Sequence, residues 1–235
     1  SKRGYKPGLV SRGYGGKFST TLEVTNDSTH KETGDEAQIL AKLNLPFFLD
    51  KNRSRAAKKL QENYDIDVII SDDGLQHYAM GRDIEIAVID GVRRLGNGFA
   101  FPAGPLREPK SRLNEVDFIV NNGGPTEGDE ILMTLSPTKF VHLNSGKEYS
   151  VDKWPMHNQV HAIAGIGNPN RFFDLLLRLG FEFDKNPFPD HHRYNKRDLY
   201  YLDHLPILMT EKDAAKCKHF KNSKIWYLSI ESKIE

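Results

Sequence analysis

The stretch DVIISDDGLQHYAM, at residues 67–80, decides the fold assignment. A short apolar run leads into two adjacent carboxylates, Asp72 and Asp73, and turn-forming residues follow. Such a run predicts a buried strand, and open α/β sheets bind ligands at the carboxyl ends of their strands. Two like charges at one point repel each other and are costly to desolvate. The pair therefore predicts a cationic partner at this strand end.

Asp72 and Asp73 are candidate ligands of a magnesium ion that accompanies a nucleotide. In P-loop nucleotidases an acidic residue at such a strand end helps to hold Mg²⁺ on the phosphates. Successive side chains of a strand point to opposite faces, so the carboxylates converge only if the backbone turns after Asp72, which Gly74 permits. Gln76 and His77 add polar groups nearby. The alternative is that the aspartates only cap the segment that follows.

The composition describes an ordinary globular protein. Of 235 residues, 28% are charged and 38% hydrophobic, and the formal net charge is +1, so no overall field would attract nucleic acid. The single cysteine excludes an internal disulfide and fits a reducing compartment. No apolar run approaches the roughly 20 residues that span a bilayer. We therefore expect a soluble chain without a nucleic-acid partner.

Short apolar runs alternate with helical patterns, which predicts βαβ units and a largely parallel sheet. The strand of the opening stretch and those at 85–90 and 118–123 are almost continuously hydrophobic, which fits burial on both faces. Polar and apolar residues alternate from 130 to 154, where we expect an antiparallel ribbon. A smaller α/β unit follows, with a helix predicted over 196–202.

SRGYGGKFS, at residues 11–19, looks like a phosphate-binding loop but fails the Walker pattern G-x-x-x-x-G-K-[ST]. Phe18 follows Lys17, and Ser11 stands where the first glycine should be. No other segment matches, so either the protein is no P-loop enzyme or its P-loop lies upstream. Arg12 stays a candidate anion contact, with a plain turn as the alternative.

TGDEA, at residues 33–37, places Asp35 and Glu36 at a helix start. A catalytic carboxylate is one interpretation. The helix dipole and a capping box from Thr33 to Glu36 explain the same residues without any chemistry.

A long loop rich in glycine and proline covers residues 90–113. A loop of this length inside a compact domain is usually functional or disordered, and the anchoring side chains Phe99, Phe101 and Leu106 favour order. Because guanidinium groups bind phosphate in a bidentate manner, we interpret the loop as a site for an anionic substrate, with a solvated basic loop as the alternative. Its basic residues are Arg93, Arg94, Arg107, Lys110 and Arg112.

FPDHHRY, at residues 188–194, allows three interpretations of Asp190, His191 and His192. They could ligate a metal, one histidine could tune a catalytic carboxylate, or hydrogen bonds could simply tie down the loop. A metal hydrolase would need further ligands, and the neighbouring sequence supplies none clearly.

Two further motifs have plain explanations. GIGNPN lacks the third glycine of a dinucleotide fingerprint, and Asn168 as a helix N-cap explains it. TEKDAAK indicates a capping box from Thr210 to Asp213.

Seven motifs taken in order resemble the tetraacyldisaccharide 4′-kinase family, the lipid A 4′-kinases of Gram-negative bacteria. They are SRGYGG, GDEA, DDGLQH, PAGPLREP, GIGNPNRFF, DHHRY and TEKDAAK, and they cover nearly the whole chain. The resemblance implies an α/β fold of two α/β/α sandwich domains, the first like P-loop kinases, joined by a two-stranded β linker. The kinase core would cover 1–140, the linker 141–157 and the smaller domain 158–235.

The resemblance also implies the ATP-dependent phosphorylation of the 4′-hydroxyl of a lipid-linked tetraacyldisaccharide 1-phosphate, a step of lipid A and hence lipopolysaccharide biosynthesis. ATP and Mg²⁺ would be the cofactors, handled by Asp72 and Asp73 as Walker B acids. Asp35 would be the base facing the sugar hydroxyl, supported by His191 or His192. Candidate contacts to phosphate or substrate are Arg12, Arg53, Gln76, His77, Arg93 and Arg107.

The family's N-terminal membrane-anchoring helix and Walker A loop have no counterpart in these residues. Phosphoryl transfer depends on positioning and charge stabilisation, so we expect these 235 residues alone to bind ATP poorly and turn over little. The resemblance implies the cytoplasmic face of the bacterial inner membrane, reached through the anchoring helix.

Two rival functions stay open. A metal-dependent phosphoesterase using the DHH segment would hydrolyse its substrate with Mn²⁺ and without ATP. A sugar-phosphate-binding module would bind its ligand saturably without phosphotransfer.

Overall fold

The computed structural model describes residues 3–25 and 27–235. Contacts group the chain into two compact units. The first holds the chain up to Gly74 together with Thr138–Ser229, and the second holds Leu75–Pro137 and Ile230–Glu235. This grouping does not follow chain order, and the domain boundaries at 140 and 157 stay a prediction.

A four-stranded sheet forms one part of the first unit. Its strands are β1 (Pro7–Ser11), β2 (Leu22–Glu23), β3 (Phe47–Leu49) and β4 (Val68–Ser71). They lie in the order β2-β3-β1-β4. β1 pairs in parallel with β3 and β4, and β2 runs antiparallel to β3. The carboxyl ends of the three parallel strands therefore meet at one edge, where such sheets bind ligands.

Helices cover parts of both faces of this sheet. They are α1 (His30–Thr33), α2 (Asp35–Ala41) and α3 (Arg53–Asn63). α3 begins after Asn52, whose side chain accepts a hydrogen bond from the backbone N–H of Arg55 at 3.3 Å. Its residues Ala56 and Leu60 are fully buried against β1 and β3. α2 buries Ala37 against the opposite face of the same strands.

The second unit is built on three parallel strands. They are β5 (Ile86–Asp90), β6 (Phe118–Asn122) and the first residues of β7 (Ile131–His142), in the order β5-β6-β7. β7 extends into the first unit, where residues 139–141 pair antiparallel with β8 (Glu148–Ser150). The antiparallel ribbon expected between 130 and 154 is therefore present at residues 139–150, whereas residues 131–133 pair in parallel with β6.

A parallel sheet completes the first unit. Its strands are β9 (His161–Ala164), β10 (Lys185–Pro187), β11 (Ile207–Thr210) and the residues of β12 (Ile225–Ile234) up to Ser229, in the order β10-β9-β11-β12. Its helices are α4 (Pro169–Arg178) and α5 (Glu211–Cys217). Phe173 and Leu176 of α4 are fully buried on one face, and Cys217 of α5 is fully buried on the other.

The expected burial of β4 and β5 on both faces is wrong. Val68 and Ile70 share one face of β4 and are 40% and 49% exposed, whereas Ile69 on the other face packs with the α3 cluster. Ile86 and Val88 of β5 are also exposed. An apolar run predicts a strand, but it does not say which of its faces a helix covers.

Two local predictions are also wrong. Residues 196–202 form turns and bends instead of a helix. The N-cap of α2 is Gly34, with φ of 86°, and glycine has no side chain to cap the helix. The carboxylate of Glu36 pairs with Lys212. The capping interaction lies one turn earlier, where the backbone N–H of Thr29 donates to Glu32 at 2.9 Å.

Among the described residues, no helix has the length and apolar character needed to cross a bilayer.

Candidate active site

Asp72 and Asp73 follow directly on β4, at the carboxyl edge of the first sheet. The backbone N–H of Asp72 donates to the carbonyl of Val10 at 3.0 Å. The chain then turns at Asp73, where φ is 48°. A Cβ at Gly74 would lie 2.6 Å from Oγ of Ser71, so a larger residue there would require the serine side chain to move. The backbone therefore makes the turn after Asp72 that the two carboxylates need in order to converge.

Asp72 is half-buried and lies among other carboxylates. Burial raises the pKa of its carboxyl group, and the charges of Glu36 and Asp73 raise it further. A hydrogen bond from Oγ of Ser11 to Oδ2, at 3.2 Å, and the charge of Arg53 oppose this shift. Because ionised Asp72 is disfavoured here, a bound cation would stabilise it.

The guanidinium group of Arg53 lies beside these carboxylates and is 6% exposed. Its Nη2 atom donates to the carbonyl of Asp73 at 2.8 Å. Among the described residues its buried Nε atom has no hydrogen-bond partner. Burial lowers the pKa of Arg53, the charge of Asp73 opposes this, and the charge of Arg12 adds to the lowering. The structure therefore brings Arg53 to the aspartate pair and Arg12 close to Arg53.

Asp35 is the first residue of α2, and the turn before it is tightly packed. A Cβ at Gly34 would lie 2.1 Å from the carbonyl oxygen of Tyr14, so this position requires glycine. Oδ2 of Asp35 lies 3.8 Å from Nδ1 of His191. His191 has φ of 57°, and its ring centroid lies 5.6 Å from that of Tyr14. Asp35 and His191, far apart in sequence, are neighbours in the fold.

His192, the other histidine candidate, has a structural role. Its Nε2 atom lies 2.9 Å from Oδ2 of Asp198, and its ring stacks on Phe188 at 4.5 Å. The geometry therefore places His191, and not His192, beside Asp35.

The metal-ligand interpretation of the DHH segment finds no geometric support. Within residues 3–25 and 27–235, no three His, Cys, Asp or Glu side chains are grouped so as to hold a metal ion. Asp72 and Asp73 supply two carboxylates, which suits an ion that takes its other ligands from substrate phosphates and water.

The remaining candidates, Gln76, His77, Arg93 and Arg107, lie in the second unit. Nη1 of Arg107 lies 3.4 Å from Oε1 of Gln76, and both residues are exposed. His77 is half-buried and Arg93 is exposed.

The long loop of the second unit is ordered by polar contacts. Arg94 binds the carboxylate of Glu130 in a bidentate manner at 2.8 Å, so it stabilises the loop. Phe99 and Phe101 were expected to anchor the loop, but they are 63% and 82% exposed. The amide of Asn97 supports the chain instead, by donating to the carbonyl of residue 103 at 2.9 Å.

Lys212 was missed as a candidate, and Glu36 was named only together with Asp35 at the helix start. The charge of Glu36 raises the pKa of Asp72. The carboxylate of Glu36 accepts a hydrogen bond from Nζ of Lys212 at 3.1 Å. The adjacent acidic pair in GDEA was the available signal for Glu36, but the helix start explained it equally well. Lys212 gave no signal because its partners are distant in sequence.

The chain has a mixed α/β fold, and its candidate site lies at the carboxyl edge of the first sheet. The solved structure of LpxK from Aquifex aeolicus in complex with ATP is similar to this chain with a TM-score of 0.79. The match covers 100% of this chain and 76% of that chain at 24% sequence identity, so it shows a shared fold.

Sequence comparison defines the family. The profile described as Tetraacyldisaccharide-1-P 4′-kinase matches residues 1–235. The tetraacyldisaccharide 4′-kinases of Shewanella frigidimarina and Methylobacillus flagellatus are 47% and 46% identical over 236 residues, covering 99% and 100% of this chain and 70% of each relative. That of Legionella pneumophila is 46% identical over 235 residues, covering 99% of this chain and 72% of the relative. The chain belongs to the tetraacyldisaccharide 4′-kinase family.

Proposed function

We propose that this protein transfers the γ-phosphoryl group of ATP to the 4′-hydroxyl of a tetraacyldisaccharide 1-phosphate. Family membership supports the reaction and both substrates. The observation that carries the proposed mechanism is the contact of 3.8 Å between Oδ2 of Asp35 and Nδ1 of His191, in the unit that also holds Asp72 and Asp73.

Asp35 is the base in this mechanism. The 4′-oxygen attacks the γ-phosphorus, the bond from that phosphorus to the β,γ-bridging oxygen breaks, and ADP leaves. The hydroxyl proton passes to Asp35. A carboxylate is a weak base for a sugar hydroxyl, but the transition state of phosphoryl transfer is loose, so the proton can leave late. His191 orients the carboxylate.

Asp72 and Asp73 would hold Mg²⁺. Two carboxylates at a strand end fit an ion that keeps phosphate and water ligands, and burial already disfavours ionised Asp72 without a cation. When bound, Mg²⁺ neutralises charge on the β- and γ-phosphate oxygens. Ser11 keeps the carboxylate of Asp72 in place through its hydrogen bond of 3.2 Å.

Basic side chains would bind the phosphates of the two substrates. Arg53 is the strongest candidate, because it lies beside the charges of Asp72 and Asp73, and Arg12 lies near it. Gln76, His77, Arg93 and Arg107 stay candidate contacts to substrate. The acceptor carries four acyl chains, so we place the reaction at a membrane surface, on the cytoplasmic face of the inner membrane.

The direct test uses the full-length protein with γ-labelled ATP and tetraacyldisaccharide 1-phosphate. We expect label to move to the lipid only when Mg²⁺ and ATP are both present. Release of inorganic phosphate from a phosphoester with Mn²⁺ and no ATP would support a phosphoesterase instead. Saturable lipid binding without transfer of label would indicate a binding module.

A further inference from the structure

Two ion pairs join α2 and α5, which pack against each other. Nζ of Lys42 lies 2.5 Å from Oε1 of Glu211, and Nζ of Lys212 lies 3.1 Å from Oε1 of Glu36. Both pairs connect the helix that begins with Asp35 to the helix of the TEKDAAK motif. The two lysines differ in their further contacts with charged side chains.

Lys212 belongs to a chain of neighbouring titratable side chains that runs from Glu36 to Asp35. Nζ of Lys212 lies 4.0 Å from Oδ1 of Asp190, whose Oδ2 lies 3.9 Å from Nε2 of His191. Nδ1 of the same imidazole lies 3.8 Å from Asp35, which precedes Glu36 in the chain. His191 therefore lies between two carboxylates, and Lys212 contacts both Asp190 and Glu36.

Buried hydrogen bonds hold the start of α5, the helix that carries Lys212. Asp213 is fully buried, and its Oδ2 atom accepts hydrogen bonds from the backbone N–H of Gly165 at 3.1 Å and from Oγ1 of Thr210 at 2.7 Å. Nζ of Lys216 lies 3.1 Å from Oδ1 of Asp213 and donates to the carbonyl of Gly165 at 3.0 Å. The GIGNPN and TEKDAAK motifs thus have a shared role: they fix the start of α5.

We propose that Lys212 is a positioning residue that keeps His191 in contact with Asp35; this inference rests on the proposed function. Its ammonium group lies between Glu36 and Asp190 and offsets their mutual repulsion. Without the ammonium group, repulsion between Glu36 and Asp190 moves the start of α2 away from the loop that carries His191. Since an exposed or half-buried ion pair adds little to overall stability, the effect falls on the geometry of the base rather than on folding.

The test compares Lys212→Met, Lys212→Arg and the matched control Lys42→Met in the full-length kinase. Lys42 makes the other α2–α5 ion pair but does not reach Asp190 or His191. We expect Lys212→Met to lower kcat by about 10- to 100-fold, because small displacements of reacting groups are expensive in rate, with KM for both substrates unchanged. Lys212→Arg should recover most of the kcat, and Lys42→Met should retain it. All three should melt near the parent temperature.

A double-mutant cycle sharpens the result. Asp190→Asn should also lower kcat. The total loss of kcat in the double variant Asp190→Asn/Lys212→Met should be smaller than the product of the two single losses, because the pair acts together. The proposal is overturned if Lys212→Met keeps its kcat, if Lys42→Met loses as much, or if the two losses multiply. Asp35→Asn is measured alongside: an active Asp35→Asn variant rejects the proposed base itself, whereas an inactive one with active Lys212→Met rejects only this inference.

Discussion

The hydroxyl group of Ser11 donates a hydrogen bond of 3.2 Å to Oδ2 of Asp72 and so connects the ends of the neighbouring parallel strands β1 and β4. The bond holds a carboxylate that its surroundings disfavour, because burial and the charges of Glu36 and Asp73 raise the pKa of Asp72. Groups that reduce stability in the free protein are typical of functional sites.

Asp72→Asn should therefore raise the melting temperature at pH 7 while lowering kcat. The folded-state pKa of Asp72 is raised. Protonated Asp72 therefore adds to the free energy of unfolding at low pH, and this contribution is lost as the pH rises through the folded-state pKa. Asparagine resembles the protonated form at every pH. The measurements are thermal melts without Mg²⁺ at pH 4 and pH 7, with kinetics at pH 7. A lower melting temperature at pH 7 would show that Asp72 has a structural role.

Asp73→Ala tests the metal site from the other side. We expect a higher Mg²⁺ concentration for half-maximal activity, because one of the two carboxylates that would hold the ion is removed. The measurement is a Mg²⁺ titration at saturating ATP. Asp65→Asn, a change at an exposed aspartate, is the control. An unchanged Mg²⁺ requirement in Asp73→Ala would count against metal binding there.

Asp35→Asn should lower kcat by about 10²- to 10⁴-fold, the range for loss of a general base. KM for ATP should change little, since the carboxylate acts on the acceptor hydroxyl. Steady-state kinetics in the full-length protein measures both. A variant that keeps most of its kcat rejects Asp35 as the base.

His191→Ala and His192→Ala should separate catalysis from stability. His191→Ala should lower kcat by about 10²-fold with little change in melting temperature. His192→Ala loses the hydrogen bond to Asp198 and the stacking on Phe188, so it should lower the free energy of unfolding by about 1–3 kcal/mol. Equal kinetic losses in both variants would contradict the assignment of His191.

Glu130→Gln should remove an acid-dependent part of the stability. Hydrogen bonds from Arg94 lower the pKa of Glu130 from 4.5 to about 2. A carboxylate whose pKa is lower in the folded state stabilises the protein at pH values above its unfolded-state pKa. This stabilisation is lost as the pH falls through its folded-state pKa. The stability difference between parent and variant should therefore be constant above pH 4.5 and shrink towards pH 2. Urea unfolding across this range measures it, and a constant difference would refute the assignment.

Much of this architecture is readable from local pattern. The apolar runs that become β1, β3, β4 and β11 are short and bounded by turn residues, and these local features determine a strand wherever it packs. The capping box at Thr210 and Asp213 is also local, and the structure contains it, with the backbone N–H of Asp213 donating to Oγ1 of Thr210 at 3.1 Å.

The errors concern environment rather than element type. Val68 and Ile70 look like core residues but are exposed, because no described helix covers their face of β4. The order of the long loop comes from Arg94 and Glu130, not from Phe99 and Phe101. Residues 196–202 lack helix because the local apolar spacing does not determine the tertiary contacts that stabilise one.

The sequence by itself determined the strand with its paired acids, the acidic helix start and the histidine doublet, because each depends on residues close together in the chain. Only the tertiary structure decided that His191 meets Asp35, that His192 turns to Asp198, and that Lys212 reaches Glu36 and Asp190. Neighbouring histidines are equivalent in sequence, and backbone conformation alone directs their side chains apart. Contacts across more than a hundred residues depend on how the sheets and helices pack, which no local pattern records.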